Sequence, residues 1–358
     1  MKTKLRKIDY TNQVLFIGLD VHHKTWHSTI LIGEVQRSLS FESNPEKFAE
    51  YLKKTYPGAI YKVAYEAGCF GFWIKERLDA LGLDTIVVNP ADIPTSDKDQ
   101  RQKTDKRDSK KIAMALRSGL LYGIYAPDKE AQENRDLLRR RSDLIKKSTR
   151  IKNQIKAKLK FYGIEIPSRF DKLGTHWSKA FLQWLESLDF HSSSMKFVME
   201  SLLREIRFIR DEILIVTKQL RILLQKERYA ENARIVKTIP GLGLVAAANI
   251  LLEIIDIHRF KTTNEFLSFV GLAPTEHSSG NSRRIGHLNR RCNASLRTIF
   301  IEAAWIAIRT DEALTLYYNN CLKRGTKTYA IIKVAKKLAN RTRYVLLNKC
   351  EYCKGVAA

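Results

Sequence analysis

No apolar run in these 358 residues is long enough to cross a bilayer, which takes about 20 residues. The opening stretch, MKTKLRKIDYTNQ, is basic but lacks the apolar core of a secretory signal. Membrane insertion and export are therefore not expected. Cysteine is also scarce. The five, Cys69, Cys292, Cys321, Cys350 and Cys353, are scattered and odd in number, which argues against a disulfide framework and for a reducing compartment. Cys350 and Cys353 form one C-x-x-C pair. A structural zinc takes four ligands, and no second pair accompanies this one. There is no internal repeat and no low-complexity tract.

Acids are the third shortage. Asp and Glu number 38 against 63 Lys and Arg, a formal charge of +25. Such an excess repels itself unless a polyanion is near. The excess points to nucleic acid or an acidic membrane surface; with no spanning run or export signal nucleic acid leads, and the expected location is cytoplasmic and nucleoid-associated. Apolar residues make up 44% of the chain, enough for a core, and the length predicts two or three domains.

What is present begins as an α/β pattern. VLFIGLD (14–20) reads as a buried strand ending in an acid, and TWHSTILI (25–32) and VQRSLSF (35–41) alternate as two more, with Gly33 at the turn. Asn44-Pro45 opens a helix to about Lys54, and IYKVAYE (60–66) is a fourth strand, again ending in an acid. A helix follows from about Phe70 to Leu81, stopped by Gly82, and DTIVVN (84–89) is a fifth strand closed by Pro90. This order, with one further helix, is that of a ribonuclease-H-like fold, although other α/β folds share much of it.

The texture changes near Glu130. Residues 130–160 contain neither Gly nor Pro, and Leu137, Leu144 and Ile151 recur every seven residues, continued by Ile155 and Leu159. Residues 135–160 hold 11 Lys/Arg and only two acids. The predicted helix is apolar on one side and basic on the others, with Arg139, Arg140 and Lys147 as candidate contacts to nucleic acid. Residues 161–177 read as a loop. A second long helix, from about Ser193 to Lys226, carries Leu202, Ile206, Ile209, Ile213, Val216, Leu220 and Leu223. The two helices are expected either to pair as an antiparallel coiled-coil hairpin or to join copies of the chain. Further on, IPGLGLVAAANILLEI (239–254) is a turn running into an apolar helix. It resembles a helix-hairpin-helix element, whose outward N–H groups suit a phosphate, and reads equally as a plain helix start. Residues 313–350 hold nine Lys/Arg and no acid and read as a basic terminal helix.

Two groups of residues carry chemistry. In KTDKRDSKK (103–111), Asp105 and Asp108 stand three apart at the start of a predicted helix and share a face. Asp20 and Glu66 end the first and fourth strands, which are neighbours in a ribonuclease-H-like sheet. Four carboxylates meeting there repel one another unless a cation is present, and hard oxygen ligands suit Mg²⁺, or Mn²⁺ in its place. Lys103, Lys106 and Arg107 would draw in phosphates. Each acid alone has a plainer reading: Asp105 as a first-turn acid, Asp108 paired with Lys111, Asp20 as a turn acid. The second group is VGLAPTEHSSGNSRRIGHLNRRCNASLRTIF (270–300), where Ser278-Ser279-Gly280 read as a polar loop. Arg283, Arg284, Arg290, Arg291 and Arg297 follow, with no acid from Gly280 to Ile301. Arginines grip phosphate bidentately, so a phosphate at the serines would be well held. His277 alone is weak evidence for a base, and the serines could equally do no more than hydrogen-bond the loop.

These residues resemble the insertion-sequence transposases with an N-terminal RuvC-like domain, a family that includes the invertase of pilin genes. GLDVHHK (18–24), YEAG (65–68) and KTDKRDS (103–109) look like its DEDD motifs. IPGLG (239–243) and FVGLAPTEHSSG followed by LR (269–297) look like its C-terminal transposase domain. The resemblance runs in order over nearly the whole chain. It implies a RuvC-like (ribonuclease-H-like) DEDD catalytic domain at 1–128, a helical coiled-coil linker at 129–232, and a mainly helical transposase domain at 233–358. It implies that Asp20, Glu66, Asp105 and Asp108 hold Mg²⁺. It implies that Ser279, the serine before the glycine, rather than Ser278, attacks DNA and becomes joined to it, so that strands are rejoined without ATP. It also implies a homo-oligomer, dimer or tetramer, in which one subunit's RuvC-like domain completes the site around another's serine. A bridge RNA pairing with donor and target DNA would choose the sites. The family usually reads Ser-Lys-x-Gly-Asn before Leu-Arg; here Asn289, Arg290 and Cys292 stand at the Ser, Lys and Gly places. The expected function is a DNA transposase or recombinase. The alternatives are a metal-dependent nuclease or junction resolvase using water, a site-specific invertase, and a non-catalytic nucleic-acid binder.

Overall fold

The structure, a computed structural model, describes residues 9–94, 105–172, 174–279, 282–289 and 291–355; for residues 105–106, 276–279 and 282–285 it describes the backbone alone. The chain forms two compact units, Met1–Pro127 and Asp128–Ala358.

In the first unit, β1 (Val14–Val21), β2 (Thr25–Ile32), β3 (Val35–Glu42), β4 (Ile60–Glu66) and β5 (Asp84–Val88) form one sheet in the order β3-β2-β1-β4-β5. β1 pairs antiparallel with β2 and parallel with β4, and β5 is parallel to β4. Two helices make the parallel crossovers. α1 (Pro45–Thr55) starts where the Asn44 side chain accepts the Lys47 N–H and Pro45 takes the first helical position. α2 (Trp73–Ala80) joins β4 to β5. Phe48, Leu52, Ile74 and Leu78 from these helices bury Leu15, Ile17, Leu19, Val63 and Tyr65 on one face of the sheet. Side chains alternate along a strand, so Gly18, Asp20, Ala64 and Glu66 belong to the other face. There α3 (Asp105–Arg117) packs, with Ile112 and Ala115 against Ala64 and Val88. A mixed sheet with helices on both faces is compatible with a ribonuclease-H-like domain.

The second unit opens with α4 (Lys129–Phe161), capped by Asp128, which accepts the Ala131 N–H. α5 (Lys179–Glu186) and α6 (Ser193–Leu223) follow. α4 and α6 run antiparallel: Asn134 Nδ2 reaches Tyr229 beyond the end of α6, whereas Arg141 Nε, further along α4, reaches Thr217 Oγ1 at 2.9 Å. Their seam is Leu144, Ile151, Ile155 and Leu159 against Met199, Leu203, Ile206 and Ile209, closed by Phe170 and Phe181. The stretch predicted as a loop at 161–177 is thus partly core, because Phe170 is buried in it. α5, at eight residues, is too short to have shown a helical period.

α7 (Glu227–Lys237), α8 (Leu244–Ile254), α9 (Thr263–Val270), α10 (Ala294–Thr310), α11 (Glu312–Leu322) and α12 (Lys327–Asn348) share one core. That core also takes Leu138 from α4 and Leu220 and Leu223 from α6. Residues 232 and 233 both lie within α7. The single basic helix predicted over 313–350 is two, α11 and α12, parted near Gly325, where Thr326 accepts the Tyr329 N–H and starts a new helix. Among the described residues no helix is long and apolar enough to cross a membrane.

A buried charge locks the end of this core. Asp311 accepts from the Tyr352 hydroxyl, from Arg341 Nη1 at 3.2 Å and from the Leu314 N–H that it caps. Burial would raise its carboxyl; the Tyr352 hydroxyl, the N–H groups of Leu314 and Gly355 and the Arg341 guanidinium outweigh that and hold it below the usual carboxylate range. A carboxyl lowered in the fold contributes stability that is complete above about pH 4 and is lost as the pH falls further. Asp311→Ala removes the carboxylate that balances the mostly buried Arg341 guanidinium and accepts from the Tyr352 hydroxyl, and should cost about 3 kcal/mol. Urea unfolding at pH 7 measures this; a midpoint equal to wild type would refute the lock.

Candidate active site

The register of the sheet brings two of the predicted acids together. Leu19 pairs with Tyr65 across parallel β1 and β4, so Asp20 and Glu66 come next, side by side, at the carboxyl ends of adjacent strands. α3 crosses the same face. Gly18, two residues before Asp20, has no side chain, and a Cβ there would press on the Ser109 carbonyl oxygen and stand 2.5 Å from Ala113 N. The hydroxyls of Ser109 and Thr29 hydrogen-bond at 2.9 Å. At the far end of α3, Arg117 Nη1 donates to Gly33 O at 3.2 Å, beside the amino end of β1. α3 therefore runs against β1, and its first turn, with Asp105 and Asp108, lies at the end of the sheet where Asp20 and Glu66 emerge. Open α/β sheets hold ligands at this carboxyl edge.

The contacts there are specific. Asp20 is about one-fifth exposed, and its Oδ2 stands 3.3 Å from His22 Nε2. Asp108 makes the pair with Lys111 that the plainer reading expected, at 3.3 Å. Among the described residues no three His, Cys, Asp or Glu side chains stand together as a metal-holding group; the side chain of Asp105 lies outside them. Cys350 and Cys353 are free thiols and form no such group. Of the cations around these acids, Arg107 is exposed. Lys103 and the side chain of Lys106 lie outside the described residues.

In the second unit the serine stands in a strand, not in the predicted loop. β6 (Pro274–Ser279) and β7 (Ser282–Leu288) pair as a hairpin, with Ser279 opposite Ser282 and Ser278 opposite Arg283. Arg284 pairs with His277 in the same register. The side chains of Ser278, Ser279, Arg283 and Arg284, and the whole of Gly280 and Arg290, lie outside the described residues. Arg291 is exposed. Arg297 turns inward: its guanidinium donates to Asn289 O and to Cys292 Sγ, the latter at 2.7 Å, over the left-handed Gly271. Cys292, at the family's glycine place, is thus packed between Gly271 and Arg297.

A polar chain behind this hairpin was not picked out from the sequence. Asn293 caps α10 by accepting the Leu296 N–H, and its Nδ2 donates to Glu253 Oε2 at 3.0 Å. Glu253 pairs with Arg135 at 3.7 Å, with both side chains mostly buried. Ser295 Oγ and Asn249 Oδ1 lie 2.9 Å apart beside them. The basic helix α4 is so tied to the start of α10. The signal was available: Glu253 is the one charged residue of α8, LVAAANILLEI. The turn before α8 is also packed. Gly241 has φ +81°, and a Cβ there would meet Ala303 Cα at 2.7 Å. On α4, Arg139 and Arg140 are about half exposed, with loose ion pairs to Asp136 and Glu212, and Lys147 is exposed.

Comparison with known proteins agrees with this layout. A DEDD transposase model of the IS110 group matches residues 17–164, and the model described as transposase IS116/IS110/IS902 family matches residues 233–319. The transposase for insertion sequence element IS1111A of Coxiella burnetii is 25% identical, over 82% of this chain and 79% of its own. That for IS1533 of Leptospira borgpetersenii is 24% identical, over 81% and 84%. That for IS1328 of Yersinia enterocolitica is 21% identical, over 91% and 95%. With one model running from the carboxylate unit through α4, the other on the part of the second unit that carries the hairpin, and relatives aligned over most of the chain, the chain belongs to the DEDD insertion-sequence transposase family.

Proposed function

We propose that the protein cuts and rejoins DNA strands of its insertion sequence through a covalent bond to Ser279, assisted by a divalent ion held by Asp20, Glu66, Asp105 and Asp108. The observation that carries this reading is the convergence of Asp20, Glu66 and the first turn of α3 at one edge of the sheet. The donors are all hard carboxylate oxygens, which fit Mg²⁺ or Mn²⁺. Such an ion would offset charge on the phosphate being cut and on the departing oxygen. Ser279 Oγ attacks phosphorus, the bond to the departing strand breaks, and the hydroxyl proton ends on that strand's oxygen. One phosphoester replaces another, so a strand hydroxyl can later reverse the step. Arg283, opposite Ser278 in the hairpin register, and Arg284, opposite His277, supply positive charge.

The remaining surface supports nucleic-acid partners. The exposed cations of α4 suit donor or target DNA and a bridge RNA that chooses the sites by pairing. A homo-oligomer, dimer or tetramer, belongs to the same proposal on the family resemblance, with the antiparallel α4 and α6 as the helical linker within each chain. The carboxylates alone would also serve a nuclease in which water attacks. Ser279→Ala separates the two readings. The variant should lose strand exchange entirely and form no detergent-resistant protein–DNA adduct. Free-end cleavage at the wild-type rate by this variant would sink the serine mechanism.

A further inference from the structure

α12 is seated in the core by Ala330, Ile331, Val334, Ala335, Leu338 and Ala339. On the other side of the helix lie Tyr329, Lys333, Lys336, Lys337, Asn340 and Tyr344. At 3.6 residues per turn these fall within about 100° of one another, on a stripe about 22 Å long. Tyr344 is 63% exposed and Tyr329 43%. The rings sit among the ammonium groups: Lys333 Nζ is 5.2 Å from the Tyr329 centroid, and Lys337 Nζ is 4.7 Å from that of Tyr317 on α11. Tyr329 rests over Gly325, where a Cβ would come within 2.8 Å of a ring carbon. Between Lys337 and Tyr344 opens a cavity of about 810 Å³ that Asn340 also lines, as does Glu351, whose charge is paired with Arg234. No acid lies between residues 313 and 350. Cations alone would serve a duplex, whose bases are stacked away; exposed rings interleaved with cations serve a strand whose bases are free to stack.

We propose that this face of α12 is a platform for single-stranded DNA: Tyr329 and Tyr344 stack on bases, Lys333, Lys336 and Lys337 hold the phosphates, and the cavity beside Asn340 and Tyr344 admits an unstacked base. DNA is the occupant because a transposase breaks strands of a duplex and must hold the unpaired end. About six nucleotides at the stacked spacing of about 3.4 Å span the stripe. The platform rests on membership of the transposase family and not on Ser279 or the carboxylates. Binding is therefore measured in EDTA, where a failed platform and a failed cleavage site give separate results.

Fluorescence anisotropy with a 20-nucleotide DNA strand, the matching RNA strand and the matching duplex tests it. Tyr344→Ala should weaken the DNA strand about tenfold and the duplex little, and Tyr344→Phe should restore binding. Lys333→Gln should lower the salt slope for the strand by about 0.7. With its ring mostly in solvent, Tyr344 can be removed without unfolding the helix. Unchanged binding by Tyr344→Ala, an equal loss on the duplex, or a loss confined to RNA would each overturn the proposal.

Discussion

Asp20→Asn should leave the protein folded and slow strand cleavage by about three orders of magnitude. Asparagine keeps the shape of the side chain and removes its charge, at a position about one-fifth exposed at the edge of the sheet. The fold does not depend on that charge, since the core beneath is made by Leu15, Ile17 and Leu19 on the opposite face. The divalent ion of the proposed mechanism would depend on it. Loss of a divalent ion removes several kcal/mol of charge stabilisation on the phosphate, and each 1.36 kcal/mol is tenfold in rate. Glu66→Gln, beside it on β4, should behave alike. Asp108→Asn should lose less, because its carboxylate is already engaged by Lys111 at 3.3 Å. Cleavage of a plasmid carrying the element ends, titrated with Mg²⁺ or Mn²⁺, is the measurement. Wild-type cleavage in EDTA, or a full rate from Asp20→Asn, would rule out the metal reading.

Much of the first unit was legible because its strands are long, alternating or wholly apolar, and each ends at a glycine, proline or acid. That is enough to order them; setting β1 beside β4, which puts Asp20 next to Glu66, came only from likeness to a ribonuclease-H-like sheet, and the parallel pairing bears it out. The direction of α3 was not legible. It follows from contacts between residues far apart, Arg117 with Gly33 and Ser109 with Thr29, which no local period records. In the second unit the long helices were plain from their heptads, but Phe170 and α5 were not, since one buried aromatic and two turns of helix carry no repeat. The hairpin was hidden by its composition. Serines, arginines and glycine read as a loop, whereas pairing of Ser278 with Arg283 and Ser279 with Ser282 makes a ladder from backbone groups that any residue supplies. Arg297 shows the limit for the site itself. Its charge said phosphate, and its place between Asn289, Cys292 and Gly271 shows an internal bond as well.

Gly18→Val should cost both stability and cleavage, and the second loss should exceed what the first explains. The strand and α3 touch backbone to backbone at this point. A Cβ on residue 18 would run into the Ser109 carbonyl and the Ala113 nitrogen rather than into side chains that can turn away. The helix must lift, which breaks the bond between Ser109 and Thr29 and draws Ile112 and Ala115 off Ala64. Overpacking of this kind costs about 3 kcal/mol. The same displacement carries Asp105 and Asp108 away from Asp20 and Glu66, and a shift of about 1 Å among reacting groups costs about a hundredfold in rate. Ile112→Ala is the control: it loosens the same helix through a cavity, at a similar cost of about 2–5 kcal/mol, but pushes nothing outward. Matched for fraction folded by circular dichroism, Gly18→Val should cleave far more slowly than Ile112→Ala. Equal rates would mean that Gly18 serves only packing. A slower Gly18→Val would mean that the missing side chain sets the reach between the α3 carboxylates and the strand ends.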